Sequence, residues 1–318
     1  EHDPAMIKAA DEVIEMGPGA GVYGGRVVYQ GSVEGLKKSQ AKTIVDRRLA
    51  INKQPRKGDE FFVIERATNN NLKNVSVAIP KRVLVSICGV SGSGKSSLML
   101  GAFLEKHPEA IVIEQKSIGI STRSTLATYM GIMDDIRAIF AKETGQVPGL
   151  FSFNSQGACP VCKGKGEITP DVAFADPITM TCEACEGTRY SDEALSFRYK
   201  NKNIVEVLRL TIDEAKDYFE MPKILKRVKL LQEVGLGYLT LGQTTSSLSG
   251  GERQRLKLAS HLQKEGQIYV IDEPSLGLHM SDSDKLFALF EKLVDRGNSV
   301  IMIEHNLDFI ARSDWVIE

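Results

Sequence analysis

Apolar residues in this chain cluster in short unbroken blocks bounded by glycine or charge. Val83-Leu84-Val85-Ser86-Ile87-Cys88, Ile111-Val112-Ile113, Ile268-Tyr269-Val270-Ile271 and Ser299-Val300-Ile301-Met302-Ile303 lack the polar alternation of a half-exposed sheet. Such runs predict buried strands. Ser97-Leu98-Met99-Leu100 and Leu256-Lys257-Leu258-Ala259 predict helices following two of the glycine-rich turns, so the fold class is α/β. Nearer the start, Gly17-Pro18-Gly19-Ala20-Gly21 and Gly24-Gly25 predict a tight turn before the strand-like Arg26-Val27-Val28-Tyr29.

The two ends repeat one another. Glu1-His2, Ile7, Asp11 and Val13-Ile14-Glu15 recur in register as Glu304-His305, Ile310, Asp314 and Val316-Ile317-Glu318. A rare histidine in step argues for duplication. Residues 1–35 are therefore expected to be the tail of a preceding homologous unit, and the equivalent tail is expected to be missing after Glu318. The orphaned piece is expected either to pack on the strand after His305 or to stay loosely ordered. Residues 36–58, with Lys42, Arg47, Arg48, Lys53 and Arg56, predict a solvated basic linker.

With 318 residues and 42% hydrophobic content the chain is long enough for two domains with real cores. The 40 Lys+Arg and 41 Asp+Glu leave a formal charge of -1, so no global basic field points to nucleic acid and any such contact must be local. No run approaches the roughly 20 apolar residues of a membrane span, which predicts a cytoplasmic protein. Four of the five cysteines form two close pairs, favouring a metal over disulfides in a reducing compartment.

Gly89-Val90-Ser91-Gly92-Ser93-Gly94-Lys95-Ser96 directly follows the first buried strand and fits the phosphate-binding P-loop. Gly89, Gly92 and Gly94 let backbone N–H groups turn toward phosphate oxygens, and Ser97 continues the loop into the helix. Lys95 is placed for the outer phosphates and Ser96 for Mg²⁺. Asp272 and Glu273 end a second buried strand, as expected of a magnesium-holding aspartate followed by a carboxylate that activates water. Leu248-Ser249-Gly250-Gly251-Glu252-Arg253-Gln254-Arg255 opens a helix whose N-terminal N–H groups favour an anion. Ser249, Gly250, Gly251 and Glu252 match the signature sequence of ABC ATPases. The same resemblance implies that His305, after Ser299–Ile303, is the switch histidine that contacts the terminal phosphate, and that Gln115, after Ile111–Ile113, is the Q-loop glutamine.

Cys159 and Cys162 are separated from Cys182 and Cys185 by 19 residues, the spacing of a closed four-cysteine zinc ribbon. Four thiolates leave no open position, so zinc there is predicted to be structural. The cysteine pairs also resemble the zinc centre of DnaJ-type chaperones, but only over this module. Lys163, Lys165, Arg189 and Lys200 surround the ribbon and are candidate contacts to a DNA backbone.

Several longer stretches resemble the UvrA family. Among them are Asn71-Leu72-Lys73-Asn74-Val75, Thr122-Arg123-Ser124-Thr125-Leu126-Ala127-Thr128-Tyr129, Pro148-Gly149-Leu150-Phe151-Ser152-Phe153-Asn154, Val234–Gln243 and Glu273-Pro274-Ser275-Leu276-Gly277-Leu278-His279. The resemblance spans nearly the whole chain. It implies a P-loop ABC-type ATPase core, 59–115 and 245–318, interrupted by an α+β signature subdomain, 116–244, that carries the ribbon at 155–190. ATP, Mg²⁺ and Zn²⁺ are the implied cofactors, and ATP-dependent recognition of DNA damage is the implied role. In such proteins the signature acts on nucleotide held by an opposite ABC half. Duplex DNA, a second half and a UvrB-like protein are the implied partners, although the segment that docks the last is not recognisable here. A UvrA paralogue for drug or damage tolerance is an alternative. The ribbon between P-loop and signature counts against a transporter subunit or translation-type factor.

Overall fold

The computed structural model describes residues 4–17, 25–36, 49–114, 123–169, 179–262, 265–276 and 280–318. The glycine-rich turn, Lys42, Arg47, Arg48 and Gln115 lie outside the described residues. The chain divides into two compact units, one comprising Glu1–Ile118, Glu233–Leu236 and Ser249–Glu318, the other Gly119–Gln232 and Gly237–Leu248.

In chain order the strands are β1 (Val13–Gly17), β2 (Arg26–Gly31), β3 (Phe61–Ala67), β4 (Val75–Pro80), β5 (Leu84–Ile87), β6 (Ile111–Ile113), β7 (Glu167–Ile168), β8 (Met180–Thr181), β9 (Ile268–Asp272), β10 (Ser299–Ile303) and β11 (Trp315–Ile317). The first unit is built on a five-stranded parallel sheet, ordered β11-β5-β10-β9-β6. Its central strands are buried on both faces, which is why their sequences are continuous apolar runs. On one face Val85, Ile87, Val270, Ile301 and Ile303 pack with Leu98, Met99 and Phe103 of the helix after the P-loop and with Phe62, Ile64 and Ile79 of the β3–β4 ribbon. Each such side chain contributes about 1.5–3 kcal/mol by burial. That helix opens as a π-helix, Ser97–Phe103, before continuing as Leu104–Lys106.

The reading of 36–58 as a solvated linker needs correction at its end. Arg56 reaches Asp295 at 2.8 Å and Asp314 at 3.1 Å. The Asp314 side chain is only 1% exposed and also accepts the N–H groups of Arg56 and Leu84, both at 2.9 Å, and the amide of Asn52 at 3.1 Å. A buried carboxylate requires such donors, and this one recruits the 52–56 segment to obtain them.

The repeat is visible in the fold and then diverges. Its two copies place helices at Pro4–Ala9 and Leu307–Arg312. However, β11 runs parallel to β5, whereas β1 pairs antiparallel with β2, and Leu36 gathers Ile7, Val13 and Tyr29 beneath that ribbon. Among the described residues, the first copy therefore adds no strand beside β11.

The second unit is mainly helical, with the β7–β8 hairpin closing its ribbon. Capping boxes open the helices Ile204–Leu208, through Asn203 and Glu206, and Ile212–Tyr218, through Thr211 and Glu214. Phe140 and Phe151 meet at 5.0 Å in its core, and the buried Tyr190 hydroxyl donates to Phe151 O at 3.3 Å.

Candidate functional site

Three adjacent parallel strands deliver their ends to one cavity of about 490 Å³ in the first unit. Ser91, Gly92, Gly94, Lys95, Ser96 and Ser97 come from the loop after β5, Asp272 and Glu273 from the end of β9, and His305 from just beyond β10. The carboxyl end of a parallel sheet is where such folds bind ligands, because loops diverge there and helix N-termini face inward. Gly92 and Gly94 take φ of 76° and 103°, and a Cβ on Gly94 would meet Leu72 at 2.9 Å. Asn71 clamps the loop by donating to Gly92 O at 2.7 Å and accepting from the Ser97 hydroxyl at 3.3 Å. Lys95 Nζ donates to Gly89 O and Val90 O, both at 2.9 Å, which centres its charge in the loop.

Glu273 adopts φ 46°, a left-handed conformation that costs energy for a side-chain-bearing residue and clusters at functional sites. Its N–H donates to Ile303 O at 2.9 Å, and its carboxylate lies 3.6 Å from His305 Nε2. Gln254, buried in the helix Gly250–His261, donates to Asp272 O at 2.6 Å and so ties that helix to the end of β9. Ser249 caps the same helix. Its hydroxyl accepts the Glu252 N–H at 3.3 Å while the Glu252 carboxylate accepts the Ser249 N–H at 2.7 Å. Asn71 and Glu114 line this cavity as well, although the sequence reading does not single them out as site residues. Asn71 was visible within the stretch before β5, whereas Glu114 carries no motif.

In the second unit Cys159, Cys162, Cys182 and Cys185 are all buried, with every Sγ within 4.8 Å of the others. The Cys162 and Cys185 sulfurs are 3.7 Å apart. A tetrahedron with metal–sulfur bonds of about 2.3 Å has edges of about 3.8 Å, so the set fits zinc. The two knuckles share one backbone pattern. Lys163, Gly164 and Gly166 have φ of 51°, 75° and 82°, and Glu186, Gly187 and Arg189 have 49°, 78° and 74°. Burial opposes the Cys162 thiolate, but the Gly166 N–H and the neighbouring thiols outweigh it and hold the group down at about 7. Burial also pushes Cys185 up to about 12, because a second thiolate beside the first has no cation to compensate it. A divalent metal would supply that charge.

Lys163, Lys165 and Arg189 join Arg123 around a second cavity of about 650 Å³ beside the ribbon. Arg189 also stacks over Phe153 at 5.3 Å. Lys200 does not line this cavity. It donates to Glu220 at 2.6 Å and Tyr218 O at 3.1 Å, and lies over the Tyr199 and Tyr218 rings.

The family model described as ABC transporter matches residues 72–276. UvrABC system protein A of Aquifex aeolicus is 43% identical across 100% of this chain and 39% of the relative. The protein of the same name from Thermus thermophilus is 40% identical across 100% of this chain and 38% of its own length. The crystal structure of UvrA2 from Deinococcus radiodurans superimposes with a TM-score of 0.92 at 40% identity, covering 100% of this chain and 43% of that one. The chain thus spans about two fifths of the curated relatives it matches. No helix among the described residues is long and apolar enough to cross a membrane. With a P-loop at the end of a parallel sheet, a signature motif opening the helix Gly250–His261 and a family model matched over most of the chain, the chain belongs to the ABC ATPase family, and it is similar along its full length to UvrABC system protein A.

Proposed function

We propose that the chain is an ATP-binding and hydrolysing unit of a UvrA-like ATPase that recognises damaged DNA in nucleotide excision repair. The observation that carries this reading is the convergence of Lys95, Ser96, Asp272, Glu273 and His305 on one cavity at the ends of β5, β9 and β10. Lys95 and the loop N–H groups bind the phosphates, and His305 contacts the terminal one. Ser96 and Asp272 would hold Mg²⁺, which offsets phosphate charge when bound. Glu273, 3.6 Å from the His305 ring, orients the attacking water and accepts its proton. Ser249, Gly250 and Gly251 serve the nucleotide of an opposite ABC half. Gln115 is proposed as a further polar group of the site.

In the full-length protein carrying this chain, Glu273→Gln should keep ATP affinity within about two-fold while lowering turnover at this site by about 100-fold or more. Lys95→Ala should lose binding itself. Equal turnover in the Glu273→Gln and parent proteins would remove Glu273 from the catalytic role.

The zinc ribbon is proposed as a structural site of four cysteines, and the adjacent cavity lined by Arg123, Lys163, Lys165 and Arg189 as a DNA-backbone contact. Lys200 is a weaker contributor, since Glu220 already partners it. Duplex binding should fall steeply between low and physiological salt, and alanines at Lys163, Lys165 and Arg189 should flatten that slope by about one for each phosphate-bound cation removed. An unchanged slope would exclude the cavity. A paralogue for drug or damage tolerance is the alternative reading, and equal affinity for intact and damaged duplex would favour it. A UvrB-like partner is proposed for the whole protein.

A further inference from the structure

Glu304 follows β10 and is 1% exposed, yet the chemistry above does not use it. Its Oε1 accepts the Ser275 N–H at 2.9 Å, and its Oε2 accepts those of His305 at 2.7 Å and Asn306 at 2.8 Å. Its own N–H donates to Ile87 O at 3.0 Å, where β5 enters the P-loop. A carboxylate withdrawn from water is tolerated only with strong donors, and charge-assisted bonds of this kind are stiff. Here the donors come from two separate segments, the turn after β9 and the residues that begin with His305. Within that turn, Leu276 N–H donates to Glu273 O at 3.2 Å. The Leu276 carbonyl in turn borders the signature, since a Cβ on Gly251 would meet it at 3.2 Å. Short contacts therefore run from His305 through Glu304 to the Glu273–Leu276 turn and on to Gly251.

We propose that Glu304 is a positioning residue that locks the Glu273–Leu276 turn to His305. It holds Glu273 in its left-handed conformation and passes displacement of His305 to the signature at Gly251. The inference rests on the proposed roles of Glu273 and His305 in hydrolysis.

Glu304→Gln tests it with little change of shape. The amide keeps one acceptor and turns an NH₂ toward one of the donors. Its oxygen stays with the two N–H groups of His305 and Asn306, so the Ser275 arm is the one that breaks. In the full-length protein, deuterium exchange at the Ser275 amide should quicken about ten-fold or more. ATP turnover at this site should fall about ten-fold, with KM and the affinity for a fluorescent ATP analogue changed by less than about two-fold. A folded variant with parental Ser275 exchange and parental turnover overturns the proposal. Exchange is read without hydrolysis, so a parent protein that does not turn over ATP at this site counts against Glu273 and His305, while Ser275 still decides the role of Glu304. If the variant does not fold, the unaltered protein decides. Amides of Ser275, His305 and Asn306 that exchange together, with one denaturant dependence, support the lock, and independent exchange overturns it.

Discussion

Asp314 illustrates a residue whose importance is set by distance along the chain. Its carboxylate joins Asn52 and Arg56 to the N–H of Leu84 at the start of β5, contacts that bridge more than 200 positions and leave no local pattern. Replacing it by alanine strands the Leu84 and Arg56 donors at a site where the parent side chain is 1% exposed. Asp314→Ala should therefore lower unfolding free energy by about 3 kcal/mol, read by denaturant titration of the first unit. A decrease below about 0.5 kcal/mol would mean that water reaches these donors readily. The Glu304 side chain reaches Ser275 across 29 positions and Gln254 reaches Asp272 across 18, shorter spans that likewise leave no local pattern. Gly92 and Gly94 are different, because their positive φ and the adjoining lysine are local requirements that a short motif records directly. Arg189 marks a limit of such reading. It takes φ 74° where the first knuckle has Gly166, so counting glycines alone would miss the repeated backbone.

At the level of elements, β5, β9 and β10 were legible because burial on both faces removes polar alternation and leaves runs of Val, Ile and Leu. The end of the basic segment was less so, since charge alone does not distinguish a solvated arginine from one that neutralises a buried aspartate. The cysteine pairs were legible as pairs, and the structure adds that their sulfurs are mutually close and electrostatically coupled. At about pH 8, Cys162 has already lost its proton in the metal-free ribbon while Cys185 retains its own, so zinc uptake should release fewer than four protons. Calorimetry in buffers of different ionisation enthalpy measures that number, and release of all four would contradict the depressed Cys162. The sign also sets the acid limit. Protons compete with metal for thiolates, so zinc affinity should weaken as pH falls, and more steeply below about 7, where Cys162 must also give up a proton. Chelation should loosen the 159–189 ribbon, seen as faster amide exchange there, and leave the parallel sheet of the first unit protected.

Over the whole molecule, the sequence repeat pointed to duplication, and matching helices at Pro4–Ala9 and Leu307–Arg312 give it a structural counterpart. What the pattern did not convey is that the two copies would pair differently, because strand pairing depends on which partner lies alongside. The same dependence governs hydrolysis. The chain carries one P-loop, at Gly89–Ser96, and one signature, at Ser249–Glu252. If the signature serves nucleotide on an opposite half, a complete site needs two chains in head-to-tail arrangement, and a two-fold axis then gives two identical sites. Ser249 and Glu252 satisfy each other in the cap, and the helix N-terminus carries a partial positive charge that favours a phosphate, which is compatible with that proposed role. ATP binding through Lys95 requires no second chain, so dilute chains should still bind ATP, and affinity should tighten as pairs form if the opposite signature also holds the nucleotide. Turnover per chain should instead rise with concentration, approaching proportionality when dilute, and flatten once pairs predominate. Lys95→Ala chains offer a sharper version of the experiment. Mixed with excess Ser249→Arg chains, they should restore one working site per pair, because the intact P-loop of the latter then meets the intact signature of the former. A rate per chain that does not change on dilution, together with no rescue in the mixture, would show that each chain hydrolyses ATP without its neighbour's signature.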